Sequence, residues 1–185
     1  MKLRSLSVLT LISMTVLASS VVAQMPSQHD RVKGLEPFIG YWQSEVQQPN
    51  GPKGTLSGLG RWTSNKSFVQ ISWSFQPEGE EPMHYGTVLV GWNGKEKQLN
   101  SWAFFPDSVW VVEASLDGSV LSMSGSGTTA EGKATSSDTT YAIAGDELTV
   151  SNKNAKEDGE ELPDSSYTLK KRERPRDVAV AGPGR

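Results

Sequence analysis

Cysteine is missing from this chain of 185 residues. Its absence removes disulfides, thiolate metal sites and a cysteine nucleophile together. Histidine is nearly missing as well: His29 and His84 are the whole supply. A multi-histidine metal centre is therefore excluded, and a lone-histidine site must rest on one of these two. The chain carries no phosphate-cradling glycine loop, no dinucleotide fingerprint, no metalloprotease helix and no Gly-x-Ser-x-Gly elbow. It also lacks a basic surplus, with 18 Lys and Arg against 21 Asp and Glu and a net charge of −3, so nucleic acid is not an expected partner. Helical periodicity is absent throughout, and no apolar run approaches the ~20 residues of a spanning helix. No cofactor is implied. Stability must come from packing, and the length suits one domain with a substantial core.

What is present begins with an address. Lys2 and Arg4 precede an apolar stretch from Leu6 to Leu17, followed by small residues that end at Val21-Val22-Ala23. Charge, apolar core and small cleavage residues in that order predict a secretory signal peptide over 1–23, cut between Ala23 and Gln24. Without a cysteine after the core the lipoprotein route is closed, so the expected product is secreted or periplasmic with no membrane anchor after cleavage. Cleavage removes two positive charges and no acid, which takes the net charge from −3 to −5.

The polar, aperiodic stretch 24–33 reads as a linker. Residues 34–40 are too short for a true helix but suit one apolar turn capping an opening. From there to Arg172, β-branched and aromatic runs alternate with turn pairs such as Asn93-Gly94, Asp117-Gly118 and Gly145-Asp146. This spacing predicts about ten strands joined by short loops, hence antiparallel neighbours. A meander of that length leaves two raw edges unless it closes, so the expected fold is an all-β barrel of about 8–10 strands over 34–172, with a β-sandwich as the alternative. The charged, Pro- and Gly-containing stretch 173–185 reads as a tail without a fold.

Six tryptophans, Trp42, Trp62, Trp73, Trp92, Trp102 and Trp110, fall in the first six expected strands. Val69, Ile71, Trp73 and Phe75 share one face of the third, and Trp102 shares a face with Phe104. Two readings follow: an apolar ligand cavity, or a core filled by its own side chains. For the cavity, Trp62, Trp73, Trp92 and Trp102 are the candidate lining residues. His84 joins them, since simple alternation puts it on the face of Gly86, Val88, Val90 and Trp92 near a barrel mouth. Arg61 is the candidate polar contact, because an inward-facing arginine must be paired or bind an anion. Glu45, Arg61 and Glu113 each lie opposite a Trp neighbour, and sequence parity leaves open which face is inside. An enzyme using His84 with Glu45 or Glu113, and a solid interaction domain, are the alternatives to ligand binding.

The run Leu35-Glu36-Pro37-Phe38-Ile39-Gly40-Tyr41-Trp42 resembles the opening of lipocalin-like, or calycin-type, barrels, where an apolar turn leads into Gly-x-Trp on the first strand. That resemblance implies a closure role for Gly40 and Trp42, with Lys170, Lys171 or Arg172 on the last strand packed across the indole. Val90-Gly91-Trp92-Asn93-Gly94-Lys95 and Ser101-Trp102-Ala103-Phe104 look like bacterial exported lipocalin-like domains of unknown function, a module also found appended to SnoaL-like domains. Two relatives fit less well. Nitrobindin-type haem barrels ligate iron through a histidine near the C-terminus, and none follows His84. Fatty-acid-binding barrels hold a carboxylate with Arg-x-Tyr on a late strand, and Ser165–Arg172 contains no such triplet. The resemblance implies the fold, export and a small, largely apolar ligand, without a reaction.

Overall fold

The computed structural model of the chain describes residues 27–48 and 51–174. The expected signal peptide, its cleavage point at Ala23 and Gln24, and all but the first two residues of the expected tail lie outside the described residues. A five-residue helix α1 (Gln28–Val32) and a 3-10 turn (Lys33–Phe38) lead into strands β1 (Gly40–Gln47), β2 (Lys53–Trp62), β3 (Phe68–Pro77) and β4 (Met83–Asn93). Then come β5 (Gln98–Phe105), β6 (Ser108–Asp117), β7 (Val120–Thr129) and β8 (Ala134–Ala144). The chain finishes with β9 (Glu147–Glu157), the two-residue β10 (Glu160–Glu161) and β11 (Ser165–Arg172).

Every strand pairs antiparallel with its neighbour from β1 to β9. β11 then pairs with β9 on one side and with β1 on the other. Ten strands thus close a ring, with β10 a short extension on β9. Closure satisfies the edge groups that an open meander would expose, and the sandwich alternative is set aside.

Alternation fixes the inner face. Val69, Ile71, Trp73 and Phe75 of β3 are buried, as are Val88 and Val90 of β4, and Leu148, Val150 and Leu169 complete the far wall. Glu45, Arg61 and Glu113 point outward and are exposed. Glu45 takes an exposed ion pair from Lys53 at 3.4 Å, and Arg61 donates to Gln70 Oε1 at 3.3 Å. The polar-lumen reading that Arg61 represented is therefore corrected: nothing about its face requires a buried charge to be paired.

One end of the barrel is sealed by the N-terminal segment, and here the structure departs from the expected linker over 24–33. Ser27 and Asp30 form a reciprocal capping box that starts α1. Val32, Leu35 and Phe38 are each 1 % exposed and join the core. Beneath them Trp42 is equally buried, and the Lys171 ammonium lies 5.2 Å from its ring centroid. The basic cover on the closure tryptophan is thus the second of the three candidates. Two glycines make the junction. Gly40 has φ 146, a region side chains rarely enter. Its register partner Gly60 sits where a Cβ would run into the Phe38 carbonyl. No helix among the described residues is long and apolar enough to cross a membrane.

Candidate functional site

Away from the plug, the barrel is hollow. A cavity of about 390 Å³ opens at the opposite end, within the ~300–1,000 Å³ usual for small-molecule sites. Its two sides differ. β3 to β7 contribute an apolar wall that includes Trp73, Val88, Phe105, Trp110, Val112 and Met123. β8, β9 and β11 contribute a hydroxyl-rich strip: Thr135, Ser136, Ser137, Thr139, Asn152 and Ser165. Among the described residues, none of those lining the cavity is charged or a histidine.

Small residues make the room. Gly58 faces the Trp73 indole so closely that a Cβ would strike the ring, and Gly125 and Gly127 stand against Val112 and Trp110 in the same way. On β8 the inward positions carry short hydroxyls up to Thr139, then Tyr141 and Ile143 toward the sealed end. Tyr141 forms the cavity floor, edge-on to Trp73 at 5.7 Å between centroids. Burial pushes its phenol up to about 12, while a hydrogen bond accepted from the Trp73 indole pulls the other way.

Two irregularities shape the mouth. A register shift between Trp73 and Ser74 lets Gly86 and His84 pair with successive β3 residues, leaving Tyr85 between them. Tyr85 therefore turns to the cavity, its ring 6.3 Å from Phe105 and 6.5 Å from Phe75. Burial there pushes the Tyr85 phenol up, with Tyr167 and Asp107 adding to it. A second shift between Ser136 and Asp138 lets consecutive β8 hydroxyls reach the rim.

The same shift at β4 corrects the reading of His84. Alternation alone places it inside; the extra residue sends it to the outer face, exposed, with Thr87 Oγ1 at 3.3 Å from its Nε2. Glu45 lies three strands away, and the register row of Glu113 crosses β4 at Gly91, seven residues along the strand from His84. At ~4.8 Å per strand and ~3.3 Å per residue neither carboxylate can meet the imidazole. The acid–base pairing weighed from sequence is not assembled.

Of the other candidates, Trp73 lines the cavity. Trp62 and Trp92 lie at the sealed end, under the N-terminal segment. The Trp62 indole donates to Glu36 Oε2 at 2.7 Å and meets the His29 ring edge-on at 5.1 Å. The Arg31 guanidinium stacks over Trp92 at 4.8 Å. Trp102 is on the outer wall, edge-on to Phe68 at 6.0 Å, and Arg61 is outside as described. Sequence reasoning missed Tyr85, Phe105, Trp110 and the β8 hydroxyls. Trp110 and the hydroxyls were open to it, since Trp110 pairs with the inward Ala103 and Thr135, Ser137, Thr139 and Tyr141 share one parity. Among the described residues no group of three or more His, Asp or Glu is placed to hold a metal ion.

No family model matches this chain, and no curated protein matches it. Among solved structures it is similar to the crystal structure of Rv2717c from M. tuberculosis, with a TM-score of 0.56 and 18% sequence identity over 78% of this chain and 98% of that one. At that identity the likeness speaks to the fold alone.

Proposed function

We propose that the chain is an exported, lipocalin-like barrel whose mature form starts at Gln24 and binds one small, largely apolar ligand in the cavity between Trp73 and the β8 strip. The observation that carries this reading is the cavity itself: about 390 Å³, uncharged, and walled over most of its lining by aromatic and aliphatic side chains, with the hydroxyl strip on one side. A cavity of that size admits water, and water against an apolar wall is unfavourable, so a ligand that displaces it and covers the wall gains the hydrophobic free energy of the area buried. Gly40, Trp42 and Lys171 support the lipocalin-like part of the reading, since the closure arrangement implied by that resemblance is the one found at the sealed end. Charge, apolar core and Ala23 support export.

Titration of the mature protein with the neutral fluorophore N-phenylnaphthylamine tests binding. Trp73 and Trp110 form part of the wall, so binding should quench their emission and brighten the probe. Trp110→Phe should reduce the quenching; no change on titration at any concentration sinks the reading. Intact-mass measurement on protein recovered from the medium or periplasm tests export, and a product that retains Met1 would defeat it.

A further inference from the structure

We infer that the ligand is a neutral amphiphile with an apolar body and a hydroxyl head, and neither a carboxylate nor an ammonium; this rests on the ligand-binding reading above. Two independent observations point to it.

The first is the sense of the hydrogen bonds along the polar strip. Thr139 Oγ1 donates to Asn152 Oδ1 at 2.7 Å. The Asn152 amide then donates to Ser165 Oγ at 3.4 Å, and the Ser165 hydroxyl is bonded in turn to the Tyr167 phenol. The chain thus uses the Thr139 proton internally and leaves lone pairs on that oxygen. An oxygen that offers lone pairs accepts from a hydroxyl and repels a carboxylate. The second is that the wall facing the strip leaves no competing polar group for a head group. Ser101, between the Val90 and Val112 strand positions, is fully buried, with its hydroxyl out of a ligand's reach. Ser108 at the rim is already engaged, accepting from the Trp110 indole at 3.1 Å and donating to Asp107 at 3.2 Å.

Charge decides between the remaining head groups. The cavity walls offer no counter-charge, and an ion placed in an apolar site without a partner costs far more than a hydroxyl does. An ammonium could use the lone pairs but would keep its charge unpaired.

Head-group exchange on one chain length tests the inference: decanol, decanoate and decylammonium compete with N-phenylnaphthylamine for the wild-type protein near pH 7. Decanol should displace the probe at about one tenth the concentration of either ion, or less. Thr139→Val, close in shape, should weaken decanol several-fold relative to the probe, whose affinity for the variant is measured directly. If decanoate or decylammonium competes as well as decanol, or if Thr139→Val leaves decanol affinity relative to the probe untouched, hydroxyl recognition is overturned while ligand binding stands. If the probe itself never binds, both readings fall together.

Discussion

Shortening Trp42 to alanine tests barrel closure most directly. The indole is 1 % exposed, lies in the core with Phe38 and Leu169, and is covered by Lys171. A large aromatic buries roughly 150–250 Å², which at about 25 cal/mol per Å² corresponds to roughly 4–6 kcal/mol. Aromatic-to-alanine changes in cores cost about 3–5 kcal/mol, so the two scales agree. One contribution runs the other way. Trp42 Nε1 is buried without a hydrogen-bond partner, and deleting an unsatisfied donor recovers about 1–3 kcal/mol. The net loss should be about 3 kcal/mol, and with a urea dependence of about 1–3 kcal/mol/M the midpoint should drop by roughly 1–3 M. Trp42→Phe separates the contributions. It keeps most of the ring contact and removes the orphan N–H, so its loss should stay below about 1.5 kcal/mol. Urea titration followed by far-UV circular dichroism reads both variants without relying on the deleted fluorophore. A wild-type midpoint for Trp42→Ala would refute the closure role, and a Trp42→Phe midpoint as low as that of Trp42→Ala would refute the argument from the orphan donor.

Three further outcomes follow from the same structure. Tyr141 has its phenol raised in the folded state from about 10 to about 12, so the neutral form is the one folding favours. Its contribution is intact below pH ~10 and is lost as pH rises toward ~12, a loss of roughly 3 kcal/mol at most. Denaturation midpoints from pH ~9 to ~11.5 should fall, and Tyr141→Phe should flatten most of that fall; an unchanged slope would show that other groups cause it. Gly60→Ala forces a Cβ into the Phe38 carbonyl, and the displaced plug should cost about 1–3 kcal/mol in urea titration. Phe38→Ala should cost about 3–5 kcal/mol, and a loss below 1 kcal/mol would mean that the N-terminal segment merely rests on the barrel.

Much of the barrel was open to reading because alternation is a property of consecutive residues. Val69, Ile71, Trp73 and Phe75 declare their shared face without help from the rest of the chain, and turn pairs such as Asp117-Gly118 mark where each strand ends. The closure pair was partly legible for the same reason: Trp42 follows an apolar turn, and the last strand finishes on three basic residues, Lys170, Lys171 and Arg172. His84 was misplaced because parity counting assumes an unbroken ladder, and one residue at the β4 irregularity reverses every face beyond it. Whether the interior was hollow could not be read from alternation, since a packed and an empty barrel share the same pattern. The void depends on the summed volume of Gly58, Gly125, Gly127 and the β8 hydroxyls, which come together only across strands. The helix from Gln28 to Val32 had a local signal that went unread: Ser27 followed three residues later by Asp30 is a cap, even where the surrounding composition suggests a linker.

Ring closure between β1 and β11 has a kinetic consequence. β1 finds β2 within a few residues, yet its other edge waits for Tyr41, Trp42 and Gln43 to meet Arg172, Lys171 and Lys170, at almost the greatest sequence separation the domain contains. Contacts that distant carry the largest loop-closure entropy and form slowly. Until they form, an unpaired strand stands at each end of the meander, open to a strand from another chain. The vulnerable interval for this protein is therefore the wait for its last strand, when even a barrel destined to have no edges still has two.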